Sequence, residues 1–359
     1  MIVGDYAWPW YQEACARAIE RNGYKVYRFS WFDDFKYWRE GSVEPFYKSF
    51  FHRLQYRFQI GPNVYKISKR LVNQSKILKP DIIWFYNVHL LGNSTLKKLR
   101  KALPKTKFVQ YSNDDPFSKK GTLFLWRKFL SSIRLFDIHF VYRNKNKGDL
   151  KLYGIDESFL LRAYFIAEED YQIPIDEIPK EFLCDVVFAG HYEDDGRIEF
   201  LESICQAGYK LNLFGGGWDR ALNRLEKDSP LIKLFPIEPA TGDNYRHAIS
   251  GAKVALCFLS TLNHDTYTRR NFQIPAMKTA MLSQYTEDLA NLYEEGKEVM
   301  LFKDKEDMLY KLELLINDQD LRRSISQSGY QRVYEDGHEV TSRMESFLDI
   351  IKKKKKEKL

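Results

Sequence analysis

Short apolar runs recur along the chain, separated by longer stretches in which apolar positions return every three or four residues. The runs have the pattern of strands buried on both faces, and the stretches that of amphipathic helices. In the first half this reading places strands at residues 1–5, 25–31, 81–87, 107–113, 137–143 and 159–165, with a helix over 9–22 that closes at Gly23. Residues 46–79 read as helical, interrupted by Gly61-Pro62. There Tyr47, Phe50, Phe51, Leu54 and Phe58 fall at helical spacing, with Phe46 and Tyr56 off the stripe, which favours a packing face over a ligand-binding one. Residues 168–182, rich in acidic side chains, Ile and Pro, have no period and read as a linker. Beyond them, strands at 186–190, 210–214, 254–260, 280–284 and 299–302 alternate with helices over 197–207, near 243–250, after Arg269 and near 287–294. Helices around 321–336 and 340–351 close the pattern.

Strands separated by helices imply parallel, right-handed β-α-β units with both sheet faces covered. Because the pattern restarts after the linker, the expected fold is α/β with two Rossmann-like domains, residues 1–167 and 184–335, joined by 168–183. A helix over 336–351 and a basic tail at 352–359 follow. A length of 359 residues with 44% hydrophobic side chains is enough for two cores. Cys15, Cys184, Cys205 and Cys257 lie apart in apolar contexts without metal or redox spacing, as reduced core residues of a cytoplasmic protein would. Residues 1–5 carry no basic leader, and no run approaches the roughly 18 apolar residues of a membrane span. The net charge is +7, of which the lysine-rich tail supplies +5. The remaining body, at +2, disfavours nucleic acid as a partner, while the tail suits peripheral contact with anionic lipid.

Ligands of open parallel sheets bind at the carboxyl ends of the strands, so residues just after strands carry the most weight. Gly190 and His191 end one such strand, and Gly lets a phosphate or sugar approach the backbone closely. Arg197 follows on the next helix, within reach of the same place or engaged in an ion pair. Gly215, Gly216 and Gly217, before Trp218, form either an anion-binding concavity of N–H groups or a tight turn. Arg269 and Arg270 stand at the expected start of a helix, either as part of a solvated helix face or, with the N–H groups there, as a grip on a phosphate-bearing ligand. In the first half, Ser112-Asn113-Asp114-Asp115-Pro116 follows a strand. One of Asp114 and Asp115 would face a ligand as a general base while the other caps the next helix, and Asn87 and His89 are the rival candidates. No His, Asp or Glu cluster has metal spacing.

Several blocks, in order, resemble the CgeB-like (spore-maturation protein) glycosyltransferases, relatives of the group-1 transferases. They are Asp81-Ile82-Ile83-Trp84, Ser112 to Phe117, Asp185 to Gly190, Leu213 to Trp218, and the stretch from Arg270-Asn271-Phe272-Gln273-Ile274-Pro275-Ala276 through Asp288, Gly296 and Glu298. The resemblance spans about residues 80 to 345 and implies the GT-B fold, two Rossmann-like domains facing each other across a cleft. It implies transfer of a sugar from a UDP- or GDP-linked donor on the second domain to a glycan, lipid-linked or protein hydroxyl on the first, with no metal or other cofactor. It also brings Ile237, in Phe235-Pro236-Ile237-Glu238, to the nucleotide base, and makes Asp288 or Glu287 either a ribose-hydroxyl acceptor or a first-turn helix acid. Gln273 departs from the family, many members of which carry Glu there beside the donor sugar. Gln keeps the hydrogen bonding and loses the charge, which motivates an alternative reading as a weak or inactive nucleotide-sugar-binding or scaffold protein.

Overall fold

The structure is a computed structural model describing residues 1–35, 46–118 and 123–356. It divides into two compact units, the first formed by Met1–Arg162 with Arg343–Leu359 and the second by Ala163–Ser342. Both are built on a wholly parallel sheet, giving the two α/β domains that the alternating pattern predicts.

In unit 1 the chain runs β1 (Ile2–Gly4), α1 (Ala14–Arg21), β2 (Arg28–Ser30), α2 (Phe46–Phe58), α3 (Pro62–Leu78), β3 (Ile82–Tyr86), α4 (Asn93–Ala102), β4 (Lys107–Tyr111), α5 (Leu123–Ser132), β5 (Ile138–Val141), α6 (Lys145–Leu152) and β6 (Phe159–Leu160). The strand order is β2-β1-β3-β4-β5-β6, so the direction of winding reverses between β1 and β3. Residues 83–86 of β3 are buried, and Phe85 packs on Phe108 and Phe136 in an aromatic-rich core. The last helix of the chain contributes Phe347, whose ring lies 4.4 Å from Trp84 and 4.7 Å from Phe140.

Two expectations for unit 1 are corrected. The stripe on α2 is not buried: Tyr47, Phe50, Phe51 and Phe58 are exposed and Leu54 is half-buried. Tyr56, off the stripe, turns inward against Trp31, Phe35 and His89. Helical spacing identifies a face but not the side on which the core lies. The strand expected over 159–165 is only two residues long, because beyond it Phe165 pairs instead with Glu339 in unit 2.

Unit 2 runs β7 (Cys184–Ala189), α7 (Arg197–Gln206), β8 (Leu211–Phe214), α8 (Asp219–Leu222), α9 (Asp243–Ser250), β9 (Ala252–Cys257), α10 (Arg270–Ala276), β10 (Ala280–Gln284), α11 (Glu287–Leu292), β11 (Met300–Phe302), α12 (Lys305–Asn317), α13 (Gln319–Glu335) and the start of α14 (Val340–Lys356). The order β11-β10-β9-β7-β8 reverses between β7 and β9. The helix α12 has no counterpart in the periodicity reading, although Asp304 caps it by accepting from Asp307 N at 2.9 Å. The acidic segment expected as a linker is tied down, since buried Asp170 accepts from Ile166 N at 2.8 Å.

The helix α14 also continues past Ile351 into the lysine tail. Lys352 reaches Asp349 at 3.0 Å and Lys354 reaches Glu157 at 2.7 Å, and residues 357–359 lie outside the described part. Among the described residues no helix is long and apolar enough to cross a membrane. All four cysteines are free thiols, and burial pushes that of Cys184 up to about 12.

Candidate active site

The reversal of winding in unit 2 opens the sheet edge at the carboxyl ends of β7 and β9, which is where ligands of this sheet type bind. Arg270 sits there. Its Nη1 donates to Ala189 O at 3.1 Å, at the end of β7, and its Nη2 to Phe258 O at 3.3 Å, just past β9. The Nε of Arg270 is buried with no partner among the described residues.

Two glycine positions make this crowding possible. A Cβ at Gly190 would meet Nη1 of Arg270 at 2.6 Å, and one at Gly215 would lie 1.9 Å from Gly190 O. Gly215 also has φ 148°, a conformation that side chains rarely adopt. The ends of β7 and β8 are thus in backbone contact, joined by Gly190 N donating to Phe214 O at 2.8 Å. Trp218 is buried and locks the same junction, its indole Nε1 donating to Gly190 O at 3.0 Å. His191 is exposed over Gly216. Partial burial, then the nearby charges of Arg270, Arg220 and Arg197, hold its imidazole below the usual value against the opposing pull of Glu193.

Arg269 is differently placed. Its Nη2 pairs with Asp170 Oδ2 at 3.1 Å, while Asp170 Oδ1 accepts from Gln273 Nε2 at 2.6 Å. Tyr245 OH donates to Gln273 Oε1 at 3.4 Å. The Asp170 side chain is only 3% exposed. An amide rather than a carboxylate at position 273 therefore fits its neighbour, because only an amide can donate to Asp170. Sequence reasoning missed both Asp170 and Tyr245. Asp170 stands in an aperiodic acidic stretch, and nothing in that stretch distinguishes it from Glu168 and Glu169.

The other candidates of unit 2 divide between surface and interior. Arg197 is buried in a two-point pair with Asp195, at 2.7 and 2.5 Å, and also holds His191 O. It anchors the loop after β7 rather than offering a free cation. Phe272 is fully buried against Tyr267 and His338, so it belongs to the core and not to a ligand-contacting surface. Ile237 is half-buried near Gly215, whose N–H donates to Glu238 O at 3.1 Å. Asp288 is half-buried on α11 and accepts from Thr266 Oγ1 at 2.7 Å. The helix behind the arginines, α10, has only seven residues, so its dipole is a minor contributor beside the guanidiniums.

In unit 1 the structure separates Asp114 from Asp115. Asp115 is buried and accepts from Phe117 N and Asn146 Nδ2, each at 3.0 Å, and from Lys145 Nζ at 3.3 Å. Asp114 is exposed at the carboxyl end of β4, with Asn87 Nδ2 3.5 Å from its Oδ2. Asn87 takes the left-handed conformation, φ 53°, and accepts from Asn113 N at 3.0 Å, so it shapes the turn that presents Asp114. His89 is excluded from such a role by its surroundings. It is 6% exposed in a cage of Trp31, Tyr56 and Trp126, and burial lowers it to about 4.

Residues 197–349 match the family described as glycosyl transferase-like. No curated protein matches the sequence. Among solved structures, sucrose-phosphate synthase from Thermosynechococcus elongatus is similar over 98% of both chains, at 11% identity and a TM-score of 0.66. Anabaena HepE, solved in complex with UDP and glucose, is similar over 98% of this chain and 99% of its own, at 11% identity and a TM-score of 0.69. A glycosyltransferase from Rickettsia africae is similar over 98% of both chains, at 11% identity and a TM-score of 0.64. The chain thus has the GT-B glycosyltransferase fold, and its residues 197–349 carry the sequence pattern of the glycosyl transferase-like family.

Proposed function

We propose that this chain is a glycosyltransferase that moves a sugar from a nucleoside diphosphate donor held by unit 2 to a hydroxyl of a glycan, lipid-linked or protein acceptor held by unit 1. The observation that carries the reading is Arg270, fixed across the carboxyl ends of β7 and β9 and pressed against Gly190. A permanent cation beside side-chain-free backbone suits a diphosphate, whose charge grows as the glycosidic bond breaks. In this reading no metal is needed, because Arg270 and the N–H groups of the glycine turns stabilise the leaving diphosphate. His191, held neutral, can donate or accept at a sugar or phosphate oxygen. Asp114, rather than Asp115 or His89, takes the acceptor proton.

The complexes of HepE with UDP and with UDP-glucose make a uridine donor the first to test, with GDP-linked sugars next. The competing reading, a protein that binds nucleotide sugar without transferring it, rests on the missing acid at position 273. The Gln273–Asp170 pair gives that substitution a local structural reason and weakens the motive. A thermal-shift screen against UDP, GDP, dTDP, CDP and their sugars selects the donor, since a ligand at 100 times its dissociation constant stabilises by about 2.7 kcal/mol. Release of nucleoside diphosphate from the selected donor then separates the readings. Slow hydrolysis without acceptor is expected of a transferase, and binding with no release at all would favour the scaffold.

A further inference from the structure

The stripe on α2 has the spacing of a buried face and lies in water. Tyr47 is 61% exposed, Phe51 60%, Phe50 50% and Phe58 48%, and Ile60, two residues past the end of the helix, is 70% exposed. Single exposed apolar side chains are ordinary, whereas a contiguous row marks a surface that is covered in use. Basic residues flank the row, Lys48, Arg53 and Arg57 all being exposed. The surrounding sequence is equally one-sided. Residues 46–80 contain eight Lys and Arg and no Asp or Glu, and residues 46–113 contain fourteen and one, Asp81. Beside the stripe, a groove of about 520 Å³ runs between α3 and α4, with Lys69, Lys98 and Lys128 in its wall and no carboxylate.

We propose that α2 lies in the surface of an anionic lipid bilayer, its aromatic stripe in the boundary between head groups and acyl chains and its basic flanks at the lipid phosphates. An apolar face bordered by Lys and Arg is the layout of an interfacial helix. A second copy of the chain is a poor occupant, because pairing this surface with itself would set like charges against each other. Nucleic acid would stack on the aromatic rings but gain little from exposed aliphatic Ile60, whereas hydrocarbon gains from both. The proposal stands apart from the sugar-transfer reading and does not depend on it.

The test is co-sedimentation of the full-length protein with vesicles of phosphatidylcholine alone and of phosphatidylcholine mixed with phosphatidylglycerol, at low and high salt. Binding is expected only to the mixed vesicles, weaker at high salt. The double variant Phe51→Ser/Phe58→Ser should bind about tenfold more weakly or worse at either salt. Arg53→Gln/Arg57→Gln should lose roughly tenfold at low salt and little at high salt. All four side chains are exposed, so melting temperatures should hold. If the phenylalanine variant fails to fold, the arginine variant carries the test. The proposal is overturned if wild-type protein ignores both vesicles, if it binds both equally, or if neither folded variant changes binding. It is equally overturned if a single-stranded oligonucleotide binds more tightly than the mixed vesicles and is lost in the same variants, or if the stripe proves to hold a dimer that they dissolve.

Discussion

Arg269 and Arg270 are adjacent in the chain and answer to different partners. Arg270 spans two strand ends, whereas Arg269 neutralises Asp170, a carboxylate that is nearly inaccessible to water. Removing the cation alone leaves that carboxylate buried and unpaired, a change that typically costs about 3 kcal/mol or more. Arg269→Ala should therefore lower the melting temperature clearly, while Arg270→Ala should leave it closer to wild type. Gln273→Glu should be destabilising too, since it would place two carboxylates at hydrogen-bonding distance, where the amide now sits 2.6 Å from Asp170. One of the two would keep its proton to a higher pH in the folded protein than in the unfolded chain. The folded state then binds the extra proton, so the deficit relative to wild type grows as pH rises and shrinks as pH falls. Melting curves of both proteins between about pH 7 and about pH 5 check this, and a deficit independent of pH would mean that the pair is not coupled. In unit 1 the two acids should also part company. Asp114→Asn should cut transfer by about a hundredfold or more with stability unchanged. Asp115→Asn should instead lower stability, because Asp115 holds three donors in the interior.

The helices and loops around these residues explain what the sequence made readable. Nearly every strand was legible as a short apolar run, because parallel strands are buried on both faces and their pattern needs no knowledge of neighbours. The position of Arg270 was legible as well, as a residue following a run, although its contacts with Ala189 and Phe258 were not. The stripe of α2 was legible as a stripe, but its outward orientation depends on Tyr56 winning the place beside Trp31 and His89, which no local spacing encodes. His89 looked like a strand-end base for the same reason, since its aromatic cage is drawn from three separate elements. That cage has a measurable consequence. The His89 imidazole has its usual value of 6.5 lowered to about 4 by burial, and His139 is lowered to the same extent for the same reason. Between these limits the unfolded chain takes up protons that the folded protein does not, so stability falls as pH drops from about 6.5 toward 4. The loss from His89 should reach the order of 3 kcal/mol. Denaturant titrations of wild type and His89→Phe across this range should show a flatter pH dependence in the variant. Parallel curves would mean that His89 gains a proton without leaving the fold.

Across the whole molecule, two sheets with the same winding carry different chemistry at their carboxyl ends. Unit 2 presents a fixed cation and glycine-lined backbone, whereas unit 1 presents an exposed carboxylate and an unusually basic outer surface. The near-neutral body inferred from total charge concealed this asymmetry, because a net value says nothing about where the acids lie. Asp170 was beyond reach for a related reason: it acts on α10, about a hundred residues away in sequence, from a stretch that reads as a connector. If the diphosphate is stabilised by Arg270 and backbone N–H groups alone, transfer should survive exhaustive chelation, and restoration of lost activity by a divalent ion would contradict that. The most direct test of the central claim is calorimetric titration of wild type and Arg270→Ala with the nucleoside diphosphate selected by the thermal screen and with its parent nucleoside. Loss of a charge-assisted contact predicts diphosphate affinity about ten- to a hundredfold weaker in the variant, with nucleoside affinity unchanged. Equal weakening of both ligands, or an unaltered diphosphate affinity, would take Arg270 out of the phosphate site and the account with it.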